Sequence, residues 1–280
     1  MQTIPFYGAA PLLAAVAYLG ASALAARALR AGTAVRIAGP GGALLALAVL
    51  AHAAALAGDV FGSGGLRFGF AQALSATFLA AGAMLLLEGL AVDLGTLALL
   101  LAPAAAVAAL LPLAFHGVPL AFESGSFALR LHLGVSMLAY SLFTLAALHC
   151  FLMSAVDRRL HRPGHGGPGG TLLARMPSLL ALEALVFRQL AFGFILLTAS
   201  LASGIAFSEQ LFGRPMRLDH KTVFATLAWL VFAGLLAGRH AFGWRGRVAQ
   251  RGLFTGFAML LLAYVGSRFV FEVVLGRGWV

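Results

Sequence analysis

Apolar residues in this chain come in long, unbroken runs rather than in strict alternation with polar ones. Eight of these runs approach the roughly 20 residues that a helix needs to cross the hydrocarbon core of a bilayer. They lie at about 5–28, 41–57, 70–90, 94–112, 129–155, 188–207, 221–238 and 252–273. Runs this long and this rich in Ala and Leu satisfy their backbone groups in lipid as helices, whereas a barrel would need short alternating strands. The pattern therefore predicts an all-α fold, a polytopic transmembrane helical bundle of about eight spans. Residues 1–280 are expected to form a single integral membrane domain.

The polar connections order the bundle. Arg27, Arg30 and Arg36 follow the first span; Arg158, Arg159, Arg162 and Arg175 follow the fifth; Arg239, Arg245, Arg247 and Arg251 follow the seventh. Positive charge concentrates on cytoplasmic loops, so these arginines face inward. Arg67, Arg130, Arg214, Arg217, Lys221 and Arg277 fall on the opposite side, partly offset by Asp59, Glu123, Glu209 and Asp219. Both termini are then expected on the outer, periplasmic side. The start lacks the basic region of a cleaved signal peptide and is read as a span that stays. Residues 157–177, which include two His within a Gly/Pro-rich stretch, read as a flexible cytoplasmic linker and a poor preformed metal site. Pro177 to Phe187, with a lone Glu183, reads as a segment along the inner interface ahead of the sixth span.

Against this background the polar residues inside or at the mouths of spans need a reason to be there. His52 lies about five residues inside the outer end of the second span, or roughly 8 Å deep at 1.5 Å per residue. His132 opens the fifth span and His220 the seventh, both from the outer side. His132, Ser136 and Tyr140 recur at four-residue steps, a polar stripe that must turn toward the bundle interior. Imidazole is a common axial ligand of haem iron, and two of them on facing helices can hold a haem in a bundle. His132 and His220 are the candidate metal ligands, with His52 a third candidate. Arg214, Arg217 and Lys221 are the candidate partners of haem propionates. Asp219 is a candidate acceptor for the ring of His220. Hydrogen bonding to a neighbouring helix is the competing explanation for each histidine. His149 and His240 lie near the inner face, and His116 in an outer loop.

Composition removes other classes. The chain is 61% hydrophobic with only 10% charged residues, and its net charge of +10 sits in the connecting loops, so nucleic-acid binding is excluded as an expectation. The single cysteine, Cys150, cannot form an internal disulfide. No Ser-His-Asp set, phosphate-cradling loop or thiol pair emerges, so an enzyme is not expected. Small residues at Gly252 and Gly256, Ala263 and Ser267, and Ser200 and Gly204 mark close helix approaches.

Residues 179–204 (LLALEALVFRQLAFGFILLTASLASG), the packet Asp219-His-Lys-Thr222, Ala228-Trp-Leu-Val-Phe232, Gly243-Trp-Arg-Gly-Arg247 and Tyr264-Val-Gly266 resemble the CcsA/HemX branch of the cytochrome c assembly proteins, and most strongly the YpjD/HemX-like inner-membrane group. His52 and the stretch from Gly65 to Gln72 add weaker support. The resemblance implies a helical bundle in the bacterial inner membrane. CcsA-type members carry haem outward for attachment to apocytochrome c, and His132 in residues 131–140 matches the family's first external haem-ligating histidine. The chain departs from the family in three places. The tryptophan-rich outer segment is absent between Ser203 and Thr222; the family's transmembrane histidine falls on Ala237; and its second external histidine has no counterpart from Arg268 to Leu275.

The resulting expectation is a haem b-binding, haem-handling membrane protein that assists cytochrome c assembly, with haem and other assembly or haem-synthesis proteins as partners. The alternatives are a HemX-like regulator of haem synthesis acting through its arginine-rich face, a transporter subunit with a cavity lined by Ser136, Tyr140, Gln72 and Ser75, and a structural partner of another membrane complex without haem.

Overall fold

A computed structural model describes residues 5–61, 67–91, 93, 95–119, 127–160, 178–212 and 220–275. Its helices are α1 (Pro5–Ala31), α2 (Pro40–Val60), α3 (Phe70–Glu88), α4 (Gly95–Ala114), α5 (Phe127–Leu160), α6 (Leu179–Phe212), α7 (His220–Phe242) and α8 (Gly246–Val274). All eight are long and apolar enough to cross a bilayer. The protein is an all-α membrane bundle.

Packing divides the bundle four and four, whereas the linker expected at 157–177 would divide the spans five and three. One core is built almost entirely from α1–α4, where Ala17, Ala21, Ala25, Ala48, Ala81, Ala98, Ala102 and Ala105 let the helices close around Tyr18, Leu45, Leu85 and Leu101. The other is built from α5–α8 around Phe143, Leu190, Phe232, Leu253 and Leu260. Lipid gives two helices no hydrophobic reason to associate, so small residues that permit close van der Waals contact do much of this work. Gly256 shows the requirement: a Cβ there would run into the ring of Phe232, itself stacked on Phe143 at 4.1 Å. A third cluster of Val60, Phe68, Ala73 and Met137 joins the two halves at one end.

That end is also tied by backbone. β1 (Arg67–Phe68) and β2 (Val118–Pro119) form a two-residue antiparallel ladder between the α2–α3 and α4–α5 connections. Glu272, near the end of α8, accepts the Phe70 amide at the start of α3 at 3.2 Å. Gly69 makes this approach possible, because a Cβ would meet the Glu272 carboxylate. At the opposite end, Asp93 accepts the amides of Val35 and Gly95, joining the α1–α2 and α3–α4 turns.

Several boundaries differ from the sequence expectation. Helix α6 begins at Leu179, so the segment read as lying along the interface is its first turns. Glu183 looked like an interfacial residue because its partner is remote in sequence: Arg239 of α7 donates to its carboxylate, with Arg245 at 3.8 Å. Arg239 also donates to the Trp244 carbonyl, and the indole of Trp244 lies over Gly238, closing the tight turn between α7 and α8. Helix α5 continues to Leu160, so residues 157–160 are helical rather than linker; residues 161–177 lie outside the described residues. Helix α8 starts at Gly246, with Arg247 reaching Asp157 of α5 at 3.6 Å. Long basic side chains allow helices to run past the apolar slab, which the hydropathy criterion cannot see.

Candidate functional site

The polar stripe on α5 turns inward as its period requires. Ser136 donates to the His132 carbonyl at 2.7 Å and meets Ser200 of α6 at 2.6 Å, while the Tyr140 hydroxyl donates to the Leu260 carbonyl of α8 at 2.6 Å. One turn nearer the helix start, His132 Nδ1 lies 2.8 Å from Ser203 Oγ. The polarity of that contact follows from its surroundings. Ser203 donates its single hydroxyl proton to the Ser200 carbonyl at 3.0 Å, so it accepts from Nδ1–H. In that arrangement Nδ1 carries the proton and the lone pair is on Nε2, which has no hydrogen-bond partner among the described residues. A ligating histidine needs this arrangement, with one nitrogen donating to an acceptor and the other free for metal. Gly204 leaves room for the ring, whose Cε1 would lie 3.6 Å from a Cβ there.

Helices α7 and α8 complete this end. His220 is exposed, and its ring stacks on Phe271 with centroids 5.7 Å apart. Tyr264 lies beneath two cations, Lys221 Nζ at 5.5 Å and the Arg268 guanidinium at 5.6 Å from its centroid, and against Phe68 at 6.4 Å. Arg268 is only 6% exposed and pairs with Glu272 at 2.9 Å, so two opposite charges are carried into the apolar end of α8 together. The backbone there is wound with wide π turns over Leu262–Gly266 and Val270–Val274. Such turns displace side chains from their α-helical positions and often accompany functional sites.

Sequence reasoning missed Tyr264, Arg268 and Glu272. The available signal was an opposite-charge pair at i, i+4 inside the last apolar run, a spacing that neutralises both members on one helix face.

The structure does not bring His52 to this group. His52 is fully buried in the first core, with Tyr18 Oη 3.3 Å from Nδ1 and Ser75 Oγ 2.7 Å from Nε2. Both ring nitrogens are engaged by hydroxyls from α1 and α3. Arg214, Arg217 and Asp219 lie outside the described residues. The four residues considered for a transport cavity are split between the two halves. Gln72 donates to Asp59 at 2.7 Å and to the Phe115 carbonyl at 3.3 Å, and Ser75 is held by His52, while Ser136 and Tyr140 are hydrogen-bonded within the second core.

This bundle and its histidine-bearing end can be compared with known proteins. Residues 41–275 match the cytochrome C assembly protein family, and the chain belongs to it. Among curated relatives, the inner membrane protein YpjD of Escherichia coli K12 is 32% identical over 143 residues, covering 51% of this chain and 52% of the relative. The cytochrome c biogenesis protein CcsA of Prochlorococcus marinus MIT 9301 is 33% identical over 99 residues, covering 35% of this chain and 32% of the relative. CcsA of Thermosynechococcus vestitus is 26% identical over 182 residues, covering 54% and 57%. The chain thus spans about half the length of the YpjD relatives it matches. No solved structure matches.

Proposed function

We propose that this protein is a non-enzymatic haem-handling component of cytochrome c assembly in the bacterial inner membrane, binding haem b at the end of the bundle that carries His132. The observation that carries this reading is the polarity of the His132 hydrogen bond, which presents a fixed Nε2 lone pair toward that end. His220 would hold the iron as the second imidazole ligand. Its ring rests on Phe271, within the stretch of α8 where the family resemblance leads one to look for an external histidine and finds none. Lys221, with Arg214 and Arg217, pairs with the propionates. Tyr264 and Phe271 offer aromatic surface of the kind that the missing tryptophans would otherwise provide. Bound haem would supply an iron centre ligated by imidazoles; the protein positions the rings and matches the propionate charge.

The test is the visible spectrum of the purified full chain, oxidised and dithionite-reduced, with a pyridine haemochrome assay for stoichiometry. Near one-to-one haem with low-spin bands, lost in His132→Ala and His220→Ala but kept in His52→Ala, is expected. Wild-type haem content and spectrum in the His132→Ala, His220→Ala double variant would overturn the proposal.

A further inference from the structure

A second polar cluster, which the haem reading does not use, lies toward the arginine-rich end of the bundle. It is separated from His132 by seventeen residues of α5, about 25 Å along a helix at 1.5 Å per residue. Glu88 closes α3, His149 projects from α5 and Gln189 from α6. Gln189 donates its amide to Glu88 Oε1. The Gln189 oxygen then faces His149 Nδ1 at 3.1 Å, and the Leu145 carbonyl faces the same nitrogen at 2.9 Å. Both neighbours of Nδ1 are acceptors, so Nδ1 carries a proton and Nε2 is the nitrogen left to titrate.

Nε2 points at Glu88 Oε2 across 3.7 Å. That oxygen is buried and has no hydrogen-bond partner among the described residues. An imidazole lone pair facing a bare carboxylate oxygen is repulsive, and a charged oxygen without a donor is costly in so apolar a place. A single proton between the two atoms removes both problems. The 3.7 Å gap is one that a short side-chain movement closes. Beside the pair is an open depression of about 180 Å³ on the bundle surface, where Glu88, Arg188 and Gln189 lie among Leu, Met and Phe side chains.

We infer that Glu88 and His149 form an intramembrane proton-binding site, holding one exchangeable proton between Oε2 and Nε2 and exchanging it through the depression bordered by Arg188. With the proton bound, the pair is a carboxylate and an imidazolium, neutral overall. On release the proton passes to water, and the pair is left with one negative charge beside the depression that Arg188 also lines. Other charges on the packed elements are accounted for. Helix α4 has no titratable side chain, and Asp93 beyond α3 is held by the Val35 and Gly95 amides. Cys150 is the buried neighbour of His149 on α5, and Glu183 lower on α6 is paired with Arg239 and Arg245. His52 and Tyr18 on α2 and α1 are bonded to each other and to Ser75.

The site can be tested on haem-free full chain in lipid nanodiscs, so that its outcome is independent of the haem reading. Nitrogen-15 NMR of labelled histidine, assigned with His149→Gln, should show Nε2 of His149 titrating while Nδ1 stays protonated. In Glu88→Gln the midpoint should fall by about one pH unit or more, roughly a tenfold loss of proton affinity, because the opposite charge within about 4 Å is gone. An unchanged midpoint, or titration at Nδ1, would overturn the inference. If Glu88→Gln does not accumulate as folded protein, infrared difference spectroscopy of His149→Gln serves instead. The carboxyl band of Glu88 should then appear at higher pH than in wild type, and a band at the same pH would be equally fatal.

Discussion

At the residue scale, the proposed haem site rests on which nitrogen of an imidazole is free. His132 and His52 are both membrane histidines, yet Ser203 orients one with an open Nε2 while Tyr18 and Ser75 engage both nitrogens of the other. Ser203 is therefore a positioning residue for His132. Ser203→Ala removes the acceptor that fixes the tautomer, and haem affinity should fall about 10- to 100-fold, the usual consequence of deleting such a partner. Titration of haem into the apo-protein measures it, with Ser203→Thr expected to restore most of the loss. Equal affinity in wild type and Ser203→Ala would mean that the hydrogen bond only packs α5 against α6. The stripe of His132, Ser136 and Tyr140 was legible in the sequence because four-residue spacing places side chains on one helix face whatever surrounds it. The fate of His52 was not, since its hydroxyl partners come from α1 and α3.

At the element scale, the junction of α6, α7 and α8 is held by a charge set that hydropathy assigned to the interface. Glu183 is 9% exposed and takes Arg239 and Arg245, while Trp244 covers Gly238. Glu183→Ala leaves Arg239 without its carboxylate and should destabilise the bundle by about 2 kcal/mol, between the values for surface and buried pairs. Thermal unfolding in detergent reads this as a lowered Tm. Arg247→Ala, which removes an ion-pair member whose side chain is 76% exposed, should cost far less, and equal losses would show that burial is not what strengthens the Glu183 pair. The beginning of α6 was misread for a physical reason. A single acid in an apolar run looks like a boundary until the cation that neutralises it is known, and that cation is 56 residues away.

At the scale of the whole molecule, two four-helix cores meet through Val60, Phe68, Ala73 and Met137, and the α8 end is tied to the α3 start through Glu272. From the charge pattern we propose that this joined end faces the outer side of the membrane. In a Cys150→Ala background, an impermeant thiol reagent should label His116→Cys on intact cells and Arg247→Cys only after permeabilisation; the reverse pattern would invert the orientation.

The sequence by itself determined the all-α class, the number of membrane helices and the face on which His132 lies. Each of these depends on quantities local to one segment, namely the 1.5 Å rise, the thickness of the bilayer and the 3.6-residue period. Tertiary structure alone decided the four-and-four cores, the pairing of Glu183 with Arg239, the π-wound end of α8 and the meeting of Glu88 with His149. Those outcomes depend on distances between helices far apart in the chain. Hydropathy records that a polar group has entered the apolar slab, but only the packed neighbours settle which donor, acceptor or opposite charge meets it there.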